Sequence, residues 1–205
     1  ARRLPLLTPL LALLLAKQGL RVIVHGGNTE DTRVSCAQVM QALGMAALQH
    51  VRPLKNNEVV YIPIDVILPG LWRLLQVRRT IGLRNSAHSL VKMLNPVTGP
   101  ALLVASYTHP EYELTMLNTL QNAKANAMLL RGTEGEPVTD PRRMRQDIRL
   151  QGGQLVDTHE PQADVDVHFP NLPFNMSATE NARFIQAMLD DPSTIPAPIE
   201  AQVQR

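Results

Sequence analysis

The chain has 205 residues, 44% of them hydrophobic and only 3% aromatic, so its core must be built from Leu, Val, Ile, Ala and Met in one domain or one and a fraction. A formal charge of +2 excludes a uniformly basic or acidic protein, yet residues 1–110 carry 12 basic and 4 acidic side chains and residues 111–205 carry 8 and 14. The single cysteine, Cys36, excludes an internal disulfide and suits a reducing, cytoplasmic setting.

The opening run ARRLPLLTPLLALLLAKQG imitates a signal peptide but is too short for a membrane span. Leu6, Leu10, Leu13 and Leu14 sit at helical spacing and Gly19 ends the run, so a core helix is expected. Residues 20–25, LRVIVH, predict a short buried strand, turned by Gly26-Gly27-Asn28. Ser35 can cap a helix through Leu43 that Gly44 stops. Residues 45–57 are irregular, and Val59–Ile64 is a second apolar strand. Leu68, Leu71, Trp72 and Leu75 then mark an amphipathic helix stopped by Gly82. A second helix is expected from Asn85 or Ser86, with Ala87, Leu90, Val91 and Leu94 as its stripe. Residues 101–107 predict a strand, Thr108-His109-Pro110-Glu111 a capping box, 112–122 a helix and 127–130 another strand. Ile148–Leu150 and Gln154–Val156 around Gly152-Gly153 form a hairpin signal. Residues 178–189 predict a last helix, and the Pro-rich 192–198 a linker or terminus. The βαβ pattern implies an α/β fold, an open and mostly parallel sheet with helices on both faces.

From Val66 to Pro110 there is no Asp or Glu, while Arg73, Arg78, Arg79, Arg84 and Lys92 fall inside that window. This is positive charge without local compensation. At about 100° per residue Arg78 falls on the Leu71/Leu74/Leu75 face, so it is expected to point into a cleft. Free N–H groups at a helix start near Asn85 and Ser86, beside Arg84, suit a phosphate; a solvated basic face is the plain alternative. His25 ends a strand and could serve as a ligand or as a structural hydrogen-bonder. Glu134, Glu136 and Arg131 follow a strand, where open parallel sheets carry their ligand crevice, or else form a polar turn. Asp164, Asp166 and His168 alternate and could share one face toward a metal, but no further clustered ligand accompanies them, and no metal site is assigned.

The segments VHGGNTEDTRVSCAQVMQALG, QVRRTIGLRNSAHSLVKMLNP, SYTHPEYE and LLRGTEGEPV occur in this order. Together they resemble the anthranilate phosphoribosyltransferase-like family, and within it the nucleic-acid-binding YbiB branch. The match covers about residues 4–150. The resemblance implies the catalytic α/β domain of the nucleoside phosphorylase/phosphoribosyltransferase type. It also implies that residues 1–205 are part of such a domain, lacking the helical domain, the first strand with its diphosphate loop, and the closing helices.

The family's Lys before His-Gly corresponds to Val24, and its Gly-Ser-Ala-Asp to Ser35-Cys36-Ala37-Gln38. Its magnesium-holding Asp-Glu pair corresponds to Pro137-Val138, which offers a hard cation no side-chain oxygen. Arg78 matches the arginine that holds the acceptor's carboxylate. The expected function is therefore sequence-independent binding of DNA or RNA backbone through Arg73, Arg79, Arg84, Lys92, Arg142, Arg143 and Arg145. Arg78, Asn85, Ser86 and His25 form the anion or acceptor cleft. No cofactor, no membrane contact, and a homodimer in the full-length protein are expected. The alternative is a glycosyl- or phosphoribosyltransferase with an altered acceptor, with magnesium held by Glu134 or Glu136.

Overall fold

The computed structural model describes residues 4–29, 32–143, 146–159 and 172–205. Arg145, Asp164, Asp166 and His168 lie outside the described residues. Two compact units are formed, one from residues 1–91 with 171–195, the other from 92–170 with 196–205. In chain order, the elements up to the boundary are α1 Thr8–Lys17, β1 Val22–Gly26, α2 Cys36–Ala42, β2 Val59–Pro63, α3 Ile64–Ile67, α4 Pro69–Ile81 and α5 Ala87–Leu90. They continue with β3 Leu103–Tyr107, α6 Glu111–Asn122, β4 Ala127–Arg131, β5 Asp147–Gln151, β6 Gln154–His159, α7 Ala178–Asp190 and α8 Ala197–Gln204.

In the first unit β1 and β2 pair in parallel, Val22 opposite Val59 through Gly26 opposite Pro63. Parallel neighbours need a crossover, and α2 supplies it. Ser35 caps α2 as expected: its hydroxyl accepts from the Gln38 backbone and the Gln38 side chain accepts from the Ser35 backbone. The leucine-rich opening is a core helix, with Leu6, Leu10, Val39, Met40, Ile62, Ile64, Ile185 and Met188 all buried. Asn181 of α7, itself buried, donates to the Leu6 carbonyl and accepts from the Leu6 N–H at 3.0 Å each. That pairing satisfies a backbone segment with no strand partner of its own. Before β2, Arg52 grips Glu58 at 3.0 and 2.6 Å. The Arg52 hydrogen bond, helped by the Lys55 N–H, holds the Glu58 carboxyl down at about 2.

The second unit is a four-stranded sheet in the order β3-β4-β5-β6. β3 and β4 are parallel, with α6 as the crossover; β5 and β6 are antiparallel. The antiparallel turn at β4–β5 departs from the mostly parallel expectation. Among the described residues between β4 and β5 there is no crossover helix, and antiparallel neighbours need none. Ala127, Leu129, Ala105, Tyr107, Ile148 and Leu150 pack with Met116 and Leu120 of α6. Met128 and Leu130 are equally buried on the other face, which explains why β4 reads as one unbroken apolar run. Gly152 and Gly153, both at positive φ, make the two-residue hairpin turn that its sequence foretold.

Two local expectations are corrected and a third is refined. The helix after Thr108 starts at Glu111, with Pro110 already in helical geometry and no side-chain cap, so the proposed box does not form. α5 is one turn only, followed by a 3-10 turn at Val91–Met93. The Pro-rich 192–198 does connect the two units, whose boundary falls between Ile195 and Pro196, but it is ordered: a 3-10 turn, Pro192–Thr194, leads into α8, and Ile195 and Ile199 are buried. Pro198 stands in the first turn of α8, where its missing N–H costs no hydrogen bond.

Replacing Ser177, whose hydroxyl accepts from Glu180 N–H at the start of α7, by Ala is expected to cost about 1 kcal/mol. Ser177→Asp, which keeps an acceptor there, is expected to cost much less. Urea denaturation with an unchanged m-value is the measurement.

Candidate functional site

The site is organised by α4. Leu68 and Pro69 start it, and Gly82 in left-handed geometry ends it, its N–H donating to the Arg78 carbonyl at 2.8 Å. Trp72 lies against Gly27, where a Cβ would overlap the indole ring. This close approach brings the end of α4 to the loop that follows β1. Arg79 Nη2 donates to the Asn28 carbonyl at 3.1 Å, and Arg78 Nη1 reaches Thr29 Oγ1 at 3.5 Å. His25 is half-buried at the carboxyl end of β1, two residues before Gly27. His25, Arg78 and Arg79 thus converge on one strand-end loop, the usual place for a ligand in α/β folds.

Arg78 is half-buried, but not in the middle of an apolar face as the helical wheel had it. Leu75 is buried, Leu74 is exposed, and Arg78 lies on the border between them. Asn85 behaves differently from the expectation of an open phosphate cradle. Its Nδ2 donates to the Leu74 carbonyl at 2.7 Å and its Oδ1 accepts from the Ala87 N–H at 3.1 Å. The His88 N–H goes to the Asn85 carbonyl at 3.1 Å. The first N–H groups of α5 are therefore occupied from within, and Asn85 acts as a positioning residue for the α4–α5 joint. Ser86 is exposed, in helical geometry, and does not cap.

His88 is not among the residues that the sequence assigns to the anion or acceptor cleft. It contacts Asn85 through Nδ1, while its Nε2 is buried without a hydrogen-bond partner. Burial, and then the charges of Arg84 and Arg78, hold its pKa below the ordinary histidine value against a hydrogen bond to Asn85. The available signal was the Asn-x-x-His spacing, which places the two side chains on adjacent turns.

In the second unit, Lys92 Nζ donates to the Ser106 carbonyl at 3.1 Å and is half-buried. That use ties the end of β3 and is not an outward cation. Arg142 and Arg143 are exposed, but both hold Asp140, whose side chain is 3% exposed. Arg142 makes two bonds to it at 2.9 and 3.0 Å. Burial pushes the Asp140 carboxyl up; the Arg142 bonds and the Arg143 charge outweigh that and keep it below the ordinary value.

The loop from Gly132 to Thr139 is tightly closed. A Cβ on Gly132 would meet the Ser106 side chain at 2.6 Å. The Val138 carbonyl accepts from Thr133 N–H at 3.2 Å, and the Pro137 carbonyl from Gln202 Nε2 at 3.0 Å. Val138 and Glu136 are buried. At the position where the family resemblance places a magnesium-binding pair, the side chains lack oxygen and both carbonyls are engaged. A magnesium ion does not fit there. Among the described residues no three His, Cys, Asp or Glu side chains gather into a metal-holding group. Among the described residues no helix is long and apolar enough to cross a membrane.

The fold and its strand-end loops define a phosphoribosyltransferase-like α/β scaffold. Structurally, the chain resembles a variant of the anthranilate phosphoribosyltransferase of Saccharomyces cerevisiae in complex with 4-fluoroanthranilate, with TM-score 0.59 and 14% identity over 97% of this chain and 57% of that one. In sequence it is 31% identical over 210 residues to the uncharacterized protein YbiB of Escherichia coli K12, covering 99% of this chain and 64% of YbiB. It is 27% identical to the anthranilate phosphoribosyltransferase of Idiomarina loihiensis, covering 88% of this chain and 54% of that enzyme. No family model matches. These similarities show homology to the anthranilate phosphoribosyltransferases and to YbiB, of whose lengths the chain spans between about half and 64%.

Because the folded pKa of Asp140 lies below the ordinary 3.8, its contribution is complete above that value and is lost as pH falls through the lower folded one. Asp140→Asn is expected to destabilise by about 1–3 kcal/mol at pH 7, with the difference from the parent shrinking toward pH 3. Denaturation midpoints across that range test it. His88 acts in the same direction at higher pH: its folded pKa lies below 6.5, so its contribution is complete above 6.5 and is lost on acidification. Binding of inorganic phosphate beside Arg84 and Arg78 is expected to raise the His88 pKa, read from its imidazole proton shifts by NMR.

Proposed function

We propose that the chain binds nucleic acid through its phosphate backbone, on a phosphoribosyltransferase-like scaffold whose magnesium position has become apolar. The observation that carries this reading is the state of the 66–110 window. Arg73 and Arg84 are exposed there and form no ion pair with a described acid. Cations left in that state are available to phosphates at no cost in broken ion pairs. Arg79 adds charge at the same end of α4 while its Nη2 holds the Asn28 carbonyl. Arg142 and Arg143 are secondary contributors, since Asp140 cancels part of their charge. Lys92 is a weaker candidate because its ammonium serves Ser106. Contacts of this kind position a strand without reading its sequence. DNA and RNA are both accommodated by this chemistry.

A second reading has its own support. Arg78 stands at the strand-end loop where the family resemblance places the acceptor clamp, and the curated relatives include enzymes named anthranilate phosphoribosyltransferase. Under it the chain would be part of a transferase with an altered metal arrangement involving Glu134 or Glu136, positioning substrate and stabilising charge.

With ~5 phosphates neutralised, log affinity for a mixed-sequence oligonucleotide is expected to fall with log salt at a slope near −4 to −5. Arg73→Ala and Arg84→Ala are each expected to reduce that slope by about 1 and to weaken all sequences alike. Fluorescence anisotropy titrations from low to moderate salt make the measurement, and no binding at low salt would end this reading. Micromolar heat of binding of phosphoribosyl diphosphate with magnesium would favour the second.

A further inference from the structure

α4 carries two apolar stripes, and only one faces the core. Leu75 is buried and Trp72 half-buried against Gly27. On the opposite side Leu74, Val77 and Ile81 are 54, 39 and 55% exposed. At about 100° per residue these three lie within about 60° of one another, with Arg78 about 40° to one side and Arg73 about 100° to the other. Leu83 continues the strip at 69% exposure, followed directly by Arg84. The bond from Asn85 Nδ2 to the Leu74 carbonyl holds this joint against the helix, so the strip is fixed, not trailing. The result is an aliphatic surface bordered by guanidinium groups, in a stretch without a single acid.

We infer that this strip is the base-contacting floor of a single-stranded nucleic-acid site, with Arg73, Arg78 and Arg84 as its phosphate-binding rim. The inference rests on the nucleic-acid reading above and narrows its substrate class. A duplex presents sugars and phosphates outward and keeps its bases stacked inside, so it would lay charge over Leu74, Val77 and Ile81. An unpaired strand can turn its base faces onto them while its phosphates meet the rim. A second copy of this chain fits worse: a twofold contact on the strip would bring the Arg73 and Arg84 rims together with no acid between residues 66 and 110 to separate them.

The test uses the full chain and three probes of equal length: a thymidine oligonucleotide, the same backbone made abasic, and a duplex. The thymidine strand is expected to bind more tightly than the abasic strand at equal salt, and more tightly than the duplex. The double variant Leu74→Gln/Ile81→Gln changes only exposed positions, and is expected to bring the thymidine strand down to the abasic level with the salt slope unchanged. Equal binding of thymidine and abasic strands by the unaltered chain would overturn the inference while leaving backbone binding intact. Binding of none of the three would remove the underlying reading as well. A variant that loses self-association by sedimentation but binds the oligonucleotide as before would assign the strip to a second copy. Displacement of the thymidine strand by polyglutamate at equal charge would assign it to an acidic protein surface. The abasic comparison on the unaltered chain decides the matter even if the variant fails to fold.

Discussion

Trp72 against Gly27 is the contact on which the site geometry depends. α4 can approach the loop after β1 only because residue 27 has no side chain; a Cβ there would occupy the space of the indole ring. That approach sets the height of the whole helix over the strand end. One turn and two turns later in α4 come Leu75, which is buried, and Arg79, which reaches the Asn28 carbonyl. Moving the helix outward by the thickness of a methyl group would break the Arg79 contact and lengthen an Arg78–Thr29 distance already at 3.5 Å. Cores transmit such shifts because they are close-packed. A single glycine therefore determines where the charges of this unit stand.

Charge is managed differently along the chain. In the second unit the acids are engaged: Asp140 holds two arginines, and Arg205 pairs with Asp147 and Asp157. The two burial costs are not equal. Asp140 is pushed up by burial, but the two-point Arg142 grip wins and the carboxyl stays low. At Asp147 burial wins over Arg205 and His159, and the carboxyl is raised. A forked, well-aligned guanidinium offsets desolvation where a poorly aligned one does not. In the first unit, Arg79 bonds the Asn28 carbonyl, Arg78 reaches the Thr29 hydroxyl, and Arg73 and Arg84 are exposed, all in a stretch whose own sequence has no acid. Arg73 and Arg84 are exposed and form no ion pair with a described acid, so their charge stays at the surface.

Much of this was readable from residues alone, and the failures share one cause. Ser35 with Gln38, Gly82 after Ile81, and Gly152-Gly153 encode their structures locally, through caps and turn geometry that need no tertiary partner. The α/β class followed from apolar runs alternating with amphipathic ones. Leu74 is a different case. Leu71, Trp72 and Leu75 compete with Leu74, Val77 and Ile81 for the role of buried face, and periodicity alone does not choose between them. Packing of Trp72 on Gly27 chooses. α5 was over-read because Ser86 and Asn85 look like caps; the Asn85 side chain instead bonds both α4 and the next turn, and such local bonds compete with helix propagation. The prolines near residue 196 were read as breakers although they stand at helix starts, where they are favoured. His88 was left out of the cleft because its environment comes first from burial, which spacing does not report, and then from Arg84 and Arg78.

The family resemblance places a magnesium-holding acidic pair where this chain has Pro137 and Val138. A site that holds a doubly charged cation between carboxylates has a low net potential for bare phosphates, because the acids that bind the metal repel them. Pro137 and Val138 carry no carboxylate, so that position offers neither side-chain ligands for such an ion nor repulsion toward phosphates. The tight loop from Gly132 to Thr139 then seals the position: Val138 is buried, and the carbonyls of both residues accept hydrogen bonds. What remains on the scaffold are groups that attract anions without a metal, arginines at the end of α4 and the half-buried histidine beside them. Such groups bind phosphate wherever it is presented, so specificity among phosphate-bearing ligands must come from whatever lies between the charges. On α4 that is an aliphatic strip, which favours a ligand able to offer an uncharged flat face alongside its phosphates.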